Sequence, residues 1–140
     1  FDLRDRRLLP FETSEVGSLK LTGGDATLIL EQRERRWRFR SPDGGEPKTL
    51  RVLEMLDALR DLKWTAVAAE RADDPAAYGL AAPAREITLW KGSGDFLGAV
   101  RFGRREGDRV FAQRERDPRV YLVPAAVLER LPTSTSSLTQ

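Results

Sequence analysis

The sequence predicts an α+β fold in which two similar antiparallel β-meanders, each followed by a helix, pack as one domain. Three observations lead to this prediction. Several short stretches alternate between apolar and polar residues, as strands with one buried face do. Turn residues, mostly glycine with aspartate, separate those stretches at short intervals. One longer stretch instead repeats its apolar residues at the spacing of an amphipathic helix.

The first predicted meander has strands joined by short turns. These strands cover residues 16–22, 26–33 and 36–40. The last of them reads Arg-Trp-Arg-Phe-Arg, and strict alternation places Trp37 and Phe39 on one face of the sheet. The opposite face then carries Arg36, Arg38 and Arg40. The turn at 23–25 and the loop at 41–47 are predicted from their glycines and prolines.

A helix is predicted from Leu50 to Lys63, with Thr49 as its N-cap. One face of this helix carries apolar residues, namely Val52, Met55, Leu56, Leu59 and Leu62. The opposite face carries the acidic residues Glu54, Asp57 and Asp61. Because this pattern is typical of a helix that covers a sheet, we expect a core-facing element rather than a partner-binding helix. A further strand is predicted over residues 64–70.

Residues 71–83 are predicted to form a hinge between the two halves of the chain. Pro75 is expected to start one helical turn through Tyr78, which Gly79 ends with a positive φ angle. Tyr78 is the expected anchor, packed against both halves. Pro83 favours an extended approach to the next strand.

The second half repeats the plan of the first. Its strands are predicted over 85–90, 96–102, 110–114 and 120–123, with a short helix from Pro124 to Leu131. Ile87 and Leu89 correspond to Leu19 and Leu21 in the first half. The predicted organisation is a lead-in segment 1–14, a single domain 15–131 with halves 15–70 and 84–131, and a flexible tail 132–140.

Composition restricts the chemistry that the chain can perform. It has 24 Lys and Arg residues against 22 Asp and Glu, with no His and no Cys. Without cysteine there are no disulfides or thiolate sites, and without histidine a serine nucleophile lacks its usual base. The sequence therefore predicts no catalytic residue, no cofactor, no metal site and no enzyme. Hydrolysis by carboxylates from distant positions is the catalytic alternative left open.

The arginine strand and Trp90 form the candidate interaction surface. Trp90 follows Leu89 within a strand, so alternation points it away from the core. Nucleic acid is not the predicted partner of Arg36, Arg38 and Arg40, because alternation separates these arginines from the aromatic rings that would stack on bases. A carbohydrate or anionic polymer is left open, since an exposed tryptophan with nearby arginines suits such ligands.

Several segments resemble a known bacterial family. They are the opening Leu-Arg-Asp-Arg-Arg-Leu-Leu-Pro-Phe at 3–11, the tryptophan strand ending in Ser-Pro at 37–42, Tyr-Gly-Leu-Ala-Ala-Pro at 78–83, and Pro-Arg-Val-Tyr-Leu-Val at 118–123. With the amphipathic helix among them, the chain is similar to the family catalogued as domain of unknown function 4340. The resemblance covers nearly the whole chain and supplies no catalytic residues.

The resemblance implies an accessory module on the extracytoplasmic side of the inner membrane. Members of the family typically carry an N-terminal membrane helix and are encoded beside ABC transporters and auxiliary proteins of the gliding-motility type. We therefore expect protein partners of that kind, and membrane contact only through a segment outside this sequence. The chain opens at Phe1 and its only methionine is Met55, so we expect it to be part of a longer protein.

Overall fold

The computed structural model describes residues 6–23, 26–41, 46–132 and 136–139. The strands are β1 (Val16–Gly23), β2 (Ala26–Arg33), β3 (Arg36–Ser41), β4 (Ala66–Ala69), β5 (Arg85–Lys91), β6 (Phe96–Glu106), β7 (Arg109–Arg114) and β8 (Val120–Pro124). The helices are α1 (Thr49–Arg60), α2 (Val127–Arg130) and α3 (Ser136–Thr139), with short 3-10 turns at Thr13–Glu15 and Pro75–Tyr78.

In the described part of the chain, all these strands form one antiparallel sheet in the order β3-β2-β1-β5-β6-β7-β8-β4. The two predicted meanders lie side by side and are joined where β1 pairs with β5. In that pairing Leu19 lies opposite Leu89, and Leu21 lies opposite Ile87. An antiparallel sheet with short helices confirms the coarse α+β prediction.

One face of the sheet carries the main core. The apolar face predicted for α1 is buried against it, as expected, through Val52, Met55, Leu56, Leu59 and Leu62. The strands contribute alternate apolar residues to this core, including Leu19, Leu21, Leu28, Leu30, Trp37, Phe39, Ile87, Leu89, Val100 and Phe102. The sheet and α1 therefore pack as two layers around this core.

The described part of the N-terminal segment packs on this core. Leu8, Leu9 and Phe11 are all buried. The Leu8 N–H donates to the Leu62 carbonyl at 2.9 Å, just after α1, and so ties the segment to the end of that helix. Burial of these apolar side chains holds the segment in place.

A second, smaller core lies on the other face of the sheet, behind β7, β8 and β4. It contains Leu80, Phe111, Val120 and Leu122, with Ala66, Ala69, Ala72 and Tyr78 packed against it. The predicted hinge therefore covers the back of these strands. As predicted, Pro75 begins a single turn that ends at Gly79, whose φ angle is 73°. Leu80, which the sequence analysis did not single out, is the most buried side chain of the segment at 1% exposure.

The hinge segment passes very close to β6. A Cβ atom placed on Gly79 would lie 2.6 Å from the backbone nitrogen of Arg104, and one placed on Gly103 would collide with the carbonyl oxygen of Tyr78. Glycine at these two positions allows the two backbones to cross in contact. Tyr78 is half-buried, with its ring 5.2 Å from that of Phe111.

α1 differs from its predicted bounds at both ends. Its N-cap is Lys48 rather than Thr49, because the Lys48 carbonyl accepts the first hydrogen bonds of the helix. The helix ends at Arg60 rather than at Lys63, since Lys63 instead forms an isolated bridge with Arg7 of the lead-in.

β4 and the helix of the second half are shorter than predicted. β4 begins at Ala66, because the Trp64 N–H donates to the Arg6 carbonyl at 2.9 Å instead of joining the sheet. The helix predicted from Pro124 to Leu131 contracts to α2, because Pro124 still belongs to β8.

The predicted flexible tail is in part helical. α3 lies within it, and Leu138 is buried in the main core while its carbonyl accepts a hydrogen bond from Lys48 N at 2.8 Å. Burial of this one leucine accounts for the order of the turn. Some predicted features lie outside the described residues, namely 1–5 of the lead-in, 24–25 of the first turn, 42–45 of the loop, and 133–135 and 140 of the tail.

No helix in the described ranges combines the length and the apolar character needed to cross a bilayer.

Candidate interaction surface

The described segments cover only part of the face of the sheet opposite α1. The second core covers β7, β8 and β4, whereas the side chains that β3, β2, β1, β5 and β6 present on this face belong to neither core. We call this uncovered surface the open face. It consists of Ser18, Lys20, Thr22, Thr27, Ile29, Glu31, Arg33, Arg36, Arg38, Arg40, Glu86, Thr88, Trp90, Phe96, Ala99 and Arg101.

The strand register aligns one row of side chains across the open face. Trp90 lies opposite Ser18, Ser18 opposite Glu31, and Glu31 opposite Arg38. On its other side, Trp90 lies opposite Phe96. Because neighbouring strands are about 4.8 Å apart, Trp90 and Arg38 are separated by about 14 Å. The structure thus brings the predicted surface residues onto one face without bringing the tryptophan and the arginines into contact.

The β3 end of the row is strongly basic. Nη2 of Arg38 lies 2.6 Å from Oε1 of Glu31, and Nε of Arg33 lies 3.7 Å from the same oxygen. The hydrogen bond from Arg38, and the charges of Arg38, Arg33 and Arg40, lower the pKa of the Glu31 carboxyl. No carboxylate in the described ranges forms an ion pair with Arg36 or Arg40. This end of the open face therefore carries an excess of positive charge.

The other end of the row is aromatic. Phe96 is 38% exposed, and the guanidinium carbon of Arg116 lies 5.1 Å from its ring centre. Trp90 is the least buried tryptophan, as predicted, since Trp37 and Trp64 are both buried. Trp90 is nevertheless half-buried rather than exposed, with Phe96 and Ser18 on either side. An apolar ring flanked by a cation suits a ligand with both apolar and anionic groups.

A partly buried polar network, which sequence analysis did not identify, lies around the Pro-Arg-Val-Tyr-Leu-Val motif. The Tyr121 hydroxyl donates to Oδ2 of Asp117 at 2.6 Å, and Nε of Arg114 donates to the same oxygen at 2.8 Å. Nη1 of Arg114 also donates to the Leu8 carbonyl at 3.1 Å. The motif therefore joins β7, β8 and the lead-in, which is a structural role. The even spacing of Asp117, Arg119 and Tyr121 is the only local signal of it.

The electrostatics of this network follow from its contacts. Burial raises the pKa of the Tyr121 hydroxyl, and its hydrogen bond to Asp117 adds to this. Burial alone would also raise the pKa of Asp117, but hydrogen bonds from Tyr121, the Arg119 backbone and Arg114 outweigh it, so the pKa is lowered. Asp117 is therefore held as a carboxylate by its donors.

Two cavities are lined by residues of both α1 and α2. The larger, about 700 Å³, has Glu54, Glu129 and Arg85 in its wall. Arg85 donates through Nη1 to the carbonyls of Leu131 and Pro132, each at 3.3 Å, and burial lowers its pKa. These bonds fix the chain that follows α2. The smaller cavity, about 430 Å³, is lined by the acidic face of α1.

Three carboxyl groups, those of Asp61, Glu31 and Asp117, do not have the raised pKa of a general acid. A general acid in a carboxylate pair needs a raised pKa. Hydrogen bonds from Arg60 lower the pKa of Asp61 beside the smaller cavity, and the pKa values of Glu31 and Asp117 are lowered as well. In the part of the chain that the structure describes, no group of His, Cys, Asp and Glu is placed to hold a metal ion.

The fold and its surface define a small α+β domain whose sheet carries a core on each face and an open face with a basic edge. A family model described as "Domain of unknown function (DUF4340)" matches residues 1–83 and 37–139, which overlap and together span the chain from residue 1 to residue 139. The chain belongs to this family. No curated protein and no solved structure gives a significant match to this chain.

Proposed function

We propose that this domain is a non-enzymatic interaction module on the extracytoplasmic side of the inner membrane. In this proposal it is accessory to an ABC-type transporter or a gliding-type complex, and the full-length protein is tethered to the membrane. The location and the kind of complex rest on the family resemblance. The interaction role rests on the structure, and the open face with its basic edge at β3 is the observation that carries it.

The open face supports this role because it is rigid and uncovered. Its side chains stand on paired strands, so a partner that binds there orders few new groups. Arginines at one end and aromatic rings at the other are the residue types enriched at protein interfaces. The basic end also favours an acidic partner through electrostatic complementarity.

Purification of the full-length protein from membranes tests the proposal. We expect subunits of an ABC-type transporter or a gliding-type complex to co-purify with it, and the double variant Arg36→Glu/Arg40→Glu to reduce their recovery. The matched control is Arg71→Glu/Arg109→Glu, which reverses two exposed arginines away from the open face. Recovery only from the soluble fraction, without such subunits, would overturn the proposal.

A second candidate function is binding of a carbohydrate or an anionic polymer, favoured by the Trp90–Phe96 pair beside Arg116. Because Trp37 and Trp64 are buried, a fluorescence change on ligand binding would come mainly from Trp90. Titration with polygalacturonate should change the emission of the parent and leave that of Trp90→Phe unchanged. Dextran serves as the neutral control polymer. Unchanged emission with both polymers would remove this candidate.

We also infer that residues 15–70 and 84–131 are repeats of one meander-and-helix unit. The pairing of β1 with β5, the first strand of each half, supports this inference. The second half differs by an additional strand, β8, and by a shorter helix. Superposition of β1, β2 and β3 on β5, β6 and β7 tests it, and a mismatch of strand twist and register would contradict it.

A further inference from the structure

We propose that the free edge of β3 binds an extended segment of a partner protein, which joins the sheet as an additional strand and alternates between acidic and apolar residues. This proposal rests on the proposed function as an interaction module and specifies the chemistry of the partner. Three features of the β3 edge carry it: the unpaired backbone, the basic side chains on one face, and exposed leucines on the other.

The backbone of β3 is open to pairing on one side. β3 is the last strand of the sheet, and in the described ranges β2 is its only partner. The opposite edge, β4, is a four-residue strand with a register shift between Val67 and Ala69. β3 is longer, with six residues, and pairs regularly with β2 from Arg36 to Phe39 before a register shift at Arg40. An exposed strand of this kind is a template for strand addition.

The open-face side of β3 selects an acidic strand. Arg36, Arg38 and Arg40 project on that side and are exposed. Residues of an added strand would lie directly opposite them, with Cβ atoms about 4.5–5.5 Å away, where opposite charges stabilise and like charges destabilise. A second copy of β3 would place arginine against arginine. The charge pattern therefore favours a different, acidic segment over self-association.

The helix side of the edge supplies an apolar contact. In the described residues the exposed large apolar side chains are Leu50 (66%), Leu53 (37%) and Phe96 (38%), and both leucines belong to α1. Leu53 lines a cavity of about 520 Å³ together with Trp37 of β3, and Gln32 of β2 and the turn between these strands also line it. Leu50 lies one helical turn before Leu53, so the two occupy neighbouring positions on the helix surface. Apolar residues on the second face of an added strand would cover these leucines.

Protection against aggregation is the competing explanation for the arginines. Charged side chains on an edge strand discourage pairing with other chains. Protection alone does not account for the exposed leucines beside the same edge, because they would promote association. Like charges that reject a second copy also admit an acidic partner, so the same arginines provide specificity.

A designed peptide tests the site. The probe is a fluorescein-labelled peptide of alternating valine and glutamate, roughly eight residues long as in ordinary strands. The first control peptide has the same composition in scrambled order. The second control peptide carries proline at alternate positions, which removes backbone hydrogen-bond donors. Fluorescence anisotropy with the 140-residue protein should show binding of the alternating peptide, with both controls weaker by about tenfold or more. Amide hydrogen exchange should slow within residues 36–41 when the alternating peptide binds.

Protein variants separate edge addition from general attraction to a basic surface. Arg36→Glu and Leu53→Ser should each weaken binding by about fivefold to tenfold. Lys20→Glu, the matched control, makes the same charge change on the open face away from the edge and should have a smaller effect. No binding of the alternating peptide, equal binding of the proline peptide, or equal losses from Arg36→Glu and Lys20→Glu would each overturn the proposal.

The failure of this proposal is distinguishable from failure of the proposed function. If transporter subunits co-purify with the full-length protein and their recovery is unchanged by Arg36→Glu and Leu53→Ser, the module binds elsewhere and the edge site is wrong. If the peptide binds as expected but no such subunits are recovered from membranes, the edge site holds and the proposed complex is wrong.

Discussion

The Tyr121 hydroxyl donates a hydrogen bond to Oδ2 of Asp117 at 2.6 Å, from a side chain with no solvent exposure. The same carboxylate accepts hydrogen bonds from Nε of Arg114 and from the backbone N–H of Arg119. The Tyr121 ring packs on Trp64, with 5.5 Å between ring centres. One polar centre thereby holds residues of β7 and β8 together. Trp64, which precedes β4, packs on the tyrosine ring of this centre.

Replacing Tyr121 with phenylalanine should lower the free energy of unfolding by about 1–3 kcal/mol, because the buried carboxylate loses a donor while the ring contacts remain. Urea unfolding of the parent and the variant measures this difference. Tyr78→Phe is the matched control, since Tyr78 is half-buried and its ring contact with Phe111 is kept. Equal effects of the two substitutions would contradict the role assigned to the Tyr121 hydroxyl.

The stability contributed by Asp117 should depend on pH. Its pKa is lowered from the ordinary value of 3.8, so the folded state favours the carboxylate. The contribution is fully present above the unfolded-state pKa and is lost as the pH falls through the lower folded-state pKa. The difference in unfolding free energy between the parent and Asp117→Asn should therefore shrink as the pH falls below 3.8. A difference that stays constant over that range would contradict the prediction.

Gly79→Ala should destabilise the protein more than Gly107→Ala. Both glycines have positive φ angles, 73° and 65°, so each substitution carries the same conformational penalty of about 1 kcal/mol. Only the new Cβ at Gly79 meets another backbone, that of Arg104, whereas the space around Gly107 is open. Thermal melts of the two variants give the comparison. Equal melting temperatures of the two variants would show that the contact between position 79 and the backbone of β6 does not add to the destabilisation.

Leu80→Ala should lower the free energy of unfolding by about 2–5 kcal/mol, as expected for a fully buried leucine. Tyr78→Ala should cost less than the roughly 3–5 kcal/mol of a buried aromatic, because Tyr78 is only half-buried. Chemical denaturation of both variants decides which side chain anchors the segment to the second core. A larger loss of unfolding free energy for Tyr78→Ala than for Leu80→Ala would show that Tyr78 is the anchor, as the sequence predicts.

The elements that sequence analysis located are those with a strong local period. Alternation in 16–22 and 36–40 and the apolar stripe from Val52 to Leu62 each encode which side is buried, and the structure agrees with them. Pro75 and Gly79 likewise fix their own turn, because proline restricts φ and glycine permits positive φ.

The remaining features depend on contacts between distant residues. No local pattern shows that 71–83 would lie behind β8, so Leu80 was overlooked and Tyr78 was predicted as the anchor. The row from Trp90 to Arg38 exists only through the register of neighbouring strands. Trp64 is buried beside Tyr121 of β8, a contact that no local pattern around Trp64 encodes.

Site-specific photo-crosslinking in the full-length protein tests the central claim most directly. A photoreactive residue placed at position 36, on the free edge of β3, should give a covalent adduct with a subunit of an ABC-type transporter or a gliding-type complex. The same residue at position 71, which is exposed on the segment behind β8, should give none. Absence of an adduct from position 36, or the same adduct from both positions, would contradict an interaction module that works through this edge.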